Sequence, residues 1–330
     1  MRHAVTALSL VALLVCAAPA HAEKLKLRKP GRGFQMRITE FTIPAAGERE
    51  VCEFRQLPNK KPIDVQGFDL NMTAGGHHFV LWEYLGTDRN AADFPPPGDL
   101  IDAPGCVGVP PRDSFANNAN LFGMQTSKAR VRFPAGVAVR IEPHAFVYLN
   151  THLRNPSPTE PLTAQAVFNI RPARKGTVKH HAQALVVGTF NDINIPPLGT
   201  QDLQVEWHTP VALNLVQVST HQHKRGTHAA VHRVDAAGND MGALFETFSW
   251  DHPGEKWYAP PMRLEAGEGL RVTCDWANPE NRTVRFGVTT DDEMCFGTGY
   301  FYADDESVPV TGPGCLPQGA GLLCFAPKVN

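Results

Sequence analysis

Proline and glycine break this chain before a long helix can form. Each occurs 28 times in 330 residues. Proline lacks an amide donor and glycine loses the most backbone freedom on ordering, so both disfavour helix interiors. Between these breaks, apolar and polar residues alternate. Val272, Cys274 and Trp276 alternate with Arg271, Thr273 and Asp275, and Val284, Phe286 and Val288 alternate with Arg285 and Gly287. A period of two marks half-buried strands. Asn278-Pro279-Glu280-Asn281 between them reads as a turn, with Pro presetting φ at its second position. Short strands joined by such turns predict an all-β chain of β-sandwiches. The short polar stretch Pro172-Ala173-Arg174-Lys175-Gly176 has linker composition and places a boundary near residue 174. No internal repeat or low-complexity segment appears, and Pro95-Pro96-Pro97-Gly98 reads as a rigid loop.

Residues 1–22 read as a signal peptide. Arg2 and His3 form the charged start, residues 8–15 the apolar run, and Ala20-His21-Ala22 an A-x-A-like cleavage site. The run is too short, with the wrong flanks, for a membrane anchor, and no later run could span a bilayer. Cys16 raises a lipoprotein alternative, but Val15 before it is a poor fit to lipid attachment. Removing Arg2 takes the formal charge from −2 to −3, which gives no reason to expect nucleic acid or an anionic membrane as partner. Losing Cys16 leaves six of seven cysteines. An even count in an exported chain, secreted or periplasmic, reads as disulfides. None sits in a C-x-x-C motif, which argues against a thiolate metal site. Cys315 and Cys324 pair by proximity.

Five histidines and one methionine carry the chemistry: His77, His78, His152, His221, His223 and Met294. Zinc takes Cys, His and carboxylate, and a thioether serves it poorly. Soft sulfur with imidazole suits copper. On a strand, His221 and His223 share a face, so both rings can meet one ion; the plain alternative is a surface strand with two exposed histidines. Adjacent His77 and His78 would face opposite ways on a regular strand. They can share an ion if the backbone bends, which Gly75-Gly76 permits, or if one ring binds through Nδ1 and the other through Nε2. His152 would complete that site, with His144, of the same strand parity, as its rival. Asn150 is a candidate to orient an imidazole, or a plain strand residue. His180-His181 repeats the tandem motif but lies in the linker zone; His228 and His232 follow the H-x-H pair closely and read as solvent-exposed, with an accessory role as the alternative; His208 and His252 carry no supporting pattern. Asn71-Met72-Thr73 and Asn281-Arg282-Thr283 are glycosylation sequons, relevant only in a eukaryotic secretory pathway.

Several stretches in one order resemble a known family. They are V-C-E-F-R-Q-L-P from Val51, G-G-H-H-F-V-L-W from Gly75, F-V-Y-L-N-T-H ending at His152, V-S-T-H-Q-H ending at His223, and T-T-D-D-E-M-C ending at Cys295. Together they resemble the copper type II, ascorbate-dependent monooxygenases, which include peptidylglycine α-hydroxylating monooxygenase and dopamine β-monooxygenase. The resemblance spans 34–302. It implies two tandem jelly-roll-like β-sandwich domains, 23–174 and 175–330, with one copper each. His152 is preferred over His144 because L-N-T-H matches the family's third ligand. By resemblance, His77, His78 and His152 hold an electron-storing copper, and His221, His223 and Met294 hold the oxygen-activating one. Two coppers per chain, dioxygen, a small organic substrate and ascorbate are then the expected partners. The resemblance also implies a Cys274–Cys295 bridge. That leaves Cys52 and Cys106, whose pairing the residues themselves do not determine.

The chain departs from the peptidylglycine enzyme where substrate is held. Ser219, Phe296 and Thr298 replace that family member's Arg, Asn and Tyr, which bind a peptide carboxylate. This argues against peptidylglycine as substrate. Phe296, Trp250 and Trp257 are candidates for an apolar pocket, or for core packing. Two rival functions use the same residues. An exported copper carrier needs no electron donor, but has no need of two unlike sites. A zinc hydrolase on His77, His78 and His152 lacks an H-E-x-x-H base and leaves Met294 unexplained.

Overall fold

A computed structural model describes residues 25–85, 94–109, 118–307, 310, 315–317, 321–325 and 328–329. The expected signal peptide lies outside the described residues. The chain is all-β: among the described residues the only helical element is a 3-10 turn, Pro104–Cys106. No helix among them is long and apolar enough to cross a membrane.

Two groups of sheets follow one another along the chain. In the first, one sheet runs Phe34–Arg37, Ala166–Pro172, Ile63–Met72, Val137–Ile141 and His180–His181. The other runs Leu100–Asp102, Glu48–Gln56, Phe146–Arg154, Gly76–Tyr84 and Asn118–Met124. They face each other through aromatic rings. Phe68 stacks on Phe122 at 4.4 Å between centroids, and Phe79 meets Phe168 at 4.9 Å. All four are buried. Facing sheets of this kind close an apolar layer between them, as β-sandwiches do.

The second group pairs a sheet containing Lys256–Leu264, Leu213–His221, Cys295–Ala303 and Gln183–Thr189 with one running Thr200–His208, Gly269–Ala277, Gly226–Val234 and Asp240–Thr247. Leu215, Val231, Val272 and Phe301 fill the space between. In Gly269–Ala277, Val272, Cys274 and Trp276 point inward and their neighbours are half-buried, as the sequence alternation predicts. The strand expected over 284–288 shrinks to Val284–Arg285 and one bridge, Phe286 to Glu293. The segment is diverted by contacts that the alternation does not encode: Gly287 abuts the Asp292 side chain, and its amide donates to Glu293 O at 3.3 Å.

Three disulfides fit an oxidising environment. Cys274–Cys295 staples the two sheets of the second group; Cys52–Cys106 ties Glu48–Gln56 to the 3-10 turn; Cys315–Cys324 joins neighbouring strands. The two groups also interlock. Tyr300 and Val216 of the second lie in the core of the first. Phe133 meets Trp257 and Tyr300 edge-on at 5.4 and 5.1 Å, and the Tyr300 hydroxyl donates to Leu121 O at 3.2 Å. Trp257 therefore packs in the junction.

Candidate metal centre

His152 and His78 are cross-strand partners, and the register slips immediately afterwards, so that Leu153 faces Gly76. His77 is the extra residue of that bulge. A bulge breaks the strict alternation of faces, and both rings reach His152: centroids lie 5.2 Å (His77) and 5.1 Å (His78) from it. Gly75 makes the bend possible. It sits at φ +91°, and a Cβ there would lie 2.0 Å from Arg154 O.

One ring nitrogen from each of His77, His78 and His152 lies within 4.8 Å of the other two. His78 Nε2 meets Asn150 Oδ1 at 3.0 Å and lies 3.3 Å from Glu50 Oε1. His152 Nε2 faces Glu48 at 3.5 Å. With these nitrogens facing acceptors, Nδ1 is left as the lone-pair atom of each ring. The Nδ1 atoms of all three histidines are buried and have no hydrogen-bond partner. Buried polar atoms are rarely left unpaired, so three in one cluster fit a cation held by neutral imidazoles. Burial, with the neighbouring imidazoles, holds His77 far below the usual range. The hydrogen bond with His152 brings Glu48 down to about 2. Burial alone would raise Glu50, but the His78 and His152 rings outweigh it and bring it to about 2.

The second constellation forms where Leu213–His221 ends. His221 is the last strand residue and His223 lies in the following turn, closed by Gly226 N donating to His223 O at 2.9 Å. The expectation of two histidines on one regular strand is corrected here: the strand stops first, yet the rings still lie 5.1 Å apart. His221 Nδ1 donates to Gln125 Oε1 at 2.8 Å, and His223 Nδ1 to Asp292 O at 3.2 Å. Both rings therefore keep Nε2 as the free lone pair. Met294 lines the same cavity as both rings. Burial holds His221 well below the usual imidazole range, although its edge opens to the cavity, and holds His223 at about 4. A thioether and two neutral imidazoles, if they met at one ion, would form a donor set that suits copper better than zinc.

Glu293 fixes this arrangement. Its fully buried carboxylate accepts from His223 N (2.9 Å), Arg225 N (2.7 Å) and Trp276 Nε1 (2.9 Å). Burial pushes it up to about 7 against those bonds. It thereby ties the His223 turn to the segment that carries Met294.

The remaining histidines have other partners or places. His144 is exposed in a turn at φ +53°. His180–His181 form a short strand parallel to Val137–Ile141, and His181 contacts Asp64 and Glu306. His208 meets Glu206 and Gly267 O; His228 meets Asp275 and Glu246; His232 meets Asp240. His252, which carries no sequence signal, lies with Trp250 beside the first cluster, their centroids 6.5 and 5.3 Å from His77. Trp250 is thus a neighbour of the imidazoles and Phe296 a wall of the cavity. Sequence reasoning missed Glu48, Glu50, Gln125 and Glu293. None stands at a metal-ligand spacing, and only Glu293 falls inside a quoted motif.

No family model and no curated protein matches the chain. Solved structures that align with it include the major capsid protein P2 from Bacteriophage PM2, at 8% identity over 82% of this chain and 98% of that one, TM-score 0.24. The structure of infectious bursal disease virus Gx strain aligns at 6% identity over 82% and 70%, TM-score 0.19. Likenesses this weak carry no argument.

Proposed function

We propose that this chain is a copper-dependent monooxygenase. It hydroxylates an aliphatic C–H bond of a small organic substrate, with dioxygen as oxidant and ascorbate as reductant. One oxygen atom enters the product as hydroxyl and the other leaves as water, at the expense of two electrons. The observation that carries the reading is the donor pattern. Three buried Nδ1 atoms that make no hydrogen bond mark one cluster, with Glu50 Oε2 3.9 Å from that of His152. Two rings whose Nδ1 positions face acceptors share a cavity with Met294. The motif order from 34 to 302 supports it independently.

In this reading the chain folds as two tandem jelly-roll-like sandwiches, 23–174 and 175–330, exported to the periplasm or beyond the cell. His77, His78 and His152 hold the copper that stores an electron, and His221, His223 and Met294 hold the one beside the substrate. Copper supplies the one-electron and dioxygen chemistry that side chains lack. The protein's part is orientation. Asn150 holds the His78 ring by its Nε2, Gln125 and Asp292 O hold His221 and His223 by Nδ1, and Glu293 holds the turn. Such outer partners set ring orientation and ligand basicity.

The test uses heavy-isotope dioxygen with the copper-loaded chain, ascorbate and a pool of small metabolites. A product gaining one labelled atom, absent with Met294→Ala, is expected, while the three-histidine site of the variant stays loaded. Turnover unchanged in Met294→Ala refutes the role given to its sulfur. Two bound coppers with no labelled product, whatever the pool, favours a copper carrier.

A further inference from the structure

The cavity that holds His221, His223 and Met294 has a volume of about 480 Å³, within the roughly 300–1,000 Å³ typical of small-molecule sites. Its floor is a strand pair in register. His221 faces Phe296, Ser219 faces Thr298, and Gln217 faces Tyr300. On the other side Phe296 pairs with Gly188. A Cβ at Gly188 would lie 2.1 Å from Phe296 Cδ1, so the ring rests over the glycine. Phe190 meets Phe286 at 4.4 Å and Phe296 at 5.4 Å, both edge-on, and Phe286 meets Phe296 at 6.4 Å. Three rings set edge-on to one another thus wall the cavity that also holds the H-x-H pair.

Charge is as informative as shape. Among the described residues no Lys or Arg lines this cavity. Of its two carboxylates, Glu50 accepts from Gly105 N and Asn150 Nδ2 and lies against His78. Glu255 opens to solvent, and the burial of the rest of its side chain raises its carboxyl above the usual range, which disfavours the charged form. Ser219 is committed to Gly254 O at 2.6 Å. The polar groups left over are neutral and include the Gln217 amide and the Thr298 hydroxyl, for which no side-chain hydrogen bond is found among the described residues, and the buried, unbonded Asn120 Oδ1. An anionic end entering here would lose its water and meet no Lys or Arg among the described residues, only the ion that His221, His223 and Met294 would hold; a cationic end would be repelled by that ion and meet only the engaged Glu50 and the outlying Glu255.

We propose that this cavity takes an uncharged substrate with an aromatic or bulky aliphatic body and a neutral polar end, and that Phe190, Phe286 and Phe296 set that preference. The proposal rests on reading the cavity as the place of hydroxylation. The apolar body lies against the phenyl wall, and its neutral end reaches Gln217 or Thr298. Burial of a phenyl ring against such a wall supplies the binding free energy.

Calorimetric titration of the full mature chain with phenylpropanamide, phenylpropanoate and phenylpropylamine tests this, since the three share a body and differ in end charge. The amide is expected to bind at least about tenfold more tightly than either ion. Phe296→Ala and Phe286→Ala should each weaken the amide by about tenfold. Equal or tighter binding of either ion overturns the proposal, as does failure of all three probes, or an amide affinity unmoved in both variants. Binding needs no turnover, so the two readings fail separately. Selective amide binding without labelled product sinks the monooxygenase and leaves the cavity's preference standing. Labelled product from a carboxylate does the reverse.

Discussion

Replacing Glu293 with Ala should be among the most damaging single changes near the second constellation. The substitution strips the acceptor from three donors at once: His223 N, Arg225 N and Trp276 Nε1. Each buried donor left without a partner costs about 1–3 kcal/mol. Taking the low end for all three gives about 3 kcal/mol, because release of a carboxylate that is itself costly to bury offsets part of the loss. Glu293→Gln makes the accounting sharper. Oε2 serves both His223 N and Trp276 Nε1, while Oε1 serves Arg225 N alone. An amide with its oxygen at Oε2 keeps two bonds and sets one N–H against another, so the loss should fall between wild type and Ala. Urea unfolding of the three proteins, followed by tryptophan fluorescence, gives the order. Copper stoichiometry gives the local consequence: the His221/His223/Met294 ion weakens while the three-histidine ion does not. A Glu293→Ala protein within about 0.5 kcal/mol of wild type, or a Gln variant worse than Ala, would refute the reasoning.

Gly75→Ala places a Cβ 2.0 Å from Arg154 O at φ +91°; a loss of about 2 kcal/mol and of the three-histidine ion is expected, and a fully loaded, equally stable variant would show the bulge is not needed. Removing Cys274 and Cys295 together opens a loop of sequence separation 21, and chain entropy predicts about 3 kcal/mol of lost stability; an unchanged melting temperature would contradict it. Asp69 gives a pH signature. Burial would raise its pKa, but bonds from Asn169, Arg132 and Arg171 outweigh burial and leave it below 3.8. A folded pKa below the unfolded one contributes stability above the unfolded value, and that contribution is lost as pH falls through the folded value. Asp69→Asn should therefore flatten the acid limb of a stability–pH curve and lower stability at neutral pH; an acid limb as steep as in wild type would assign it to other carboxylates.

What the sequence made legible was local. Gly75-Gly76 announces a bend, and the bend puts His77 and His78 near one point. The inward residues of Gly269–Ala277 follow from alternation alone. Asn150 lies two residues before His152, and its amide does hold an imidazole, that of His78. What stayed hidden depends on partners far along the chain. Gln125 is 96 residues from the ring it holds, and Glu293 is 70 from the turn it anchors. The 284–288 run alternates convincingly, yet contacts at Gly287 and Glu293 divert it after two residues. His252 and Trp250 carry no pattern because a loop, not a strand, brings them to His77.

Gln125 follows directly after the strand Asn118–Met124 of the first half, but its side chain serves the second. The Oε1 atom accepts the hydrogen bond from His221 Nδ1 and the Nε2 group donates to Thr220 O at 2.8 Å. One amide from across the seam thus fixes both the tautomer and the tilt of an imidazole. Were the halves to swing apart, that ring would be free to turn and to exchange its protons. The seam is therefore part of the geometry of the His221/His223 constellation itself. A second half expressed alone would inherit the histidines and the methionine but not the hand that steadies them, so cutting between the two groups of sheets separates things the fold has made mutually dependent.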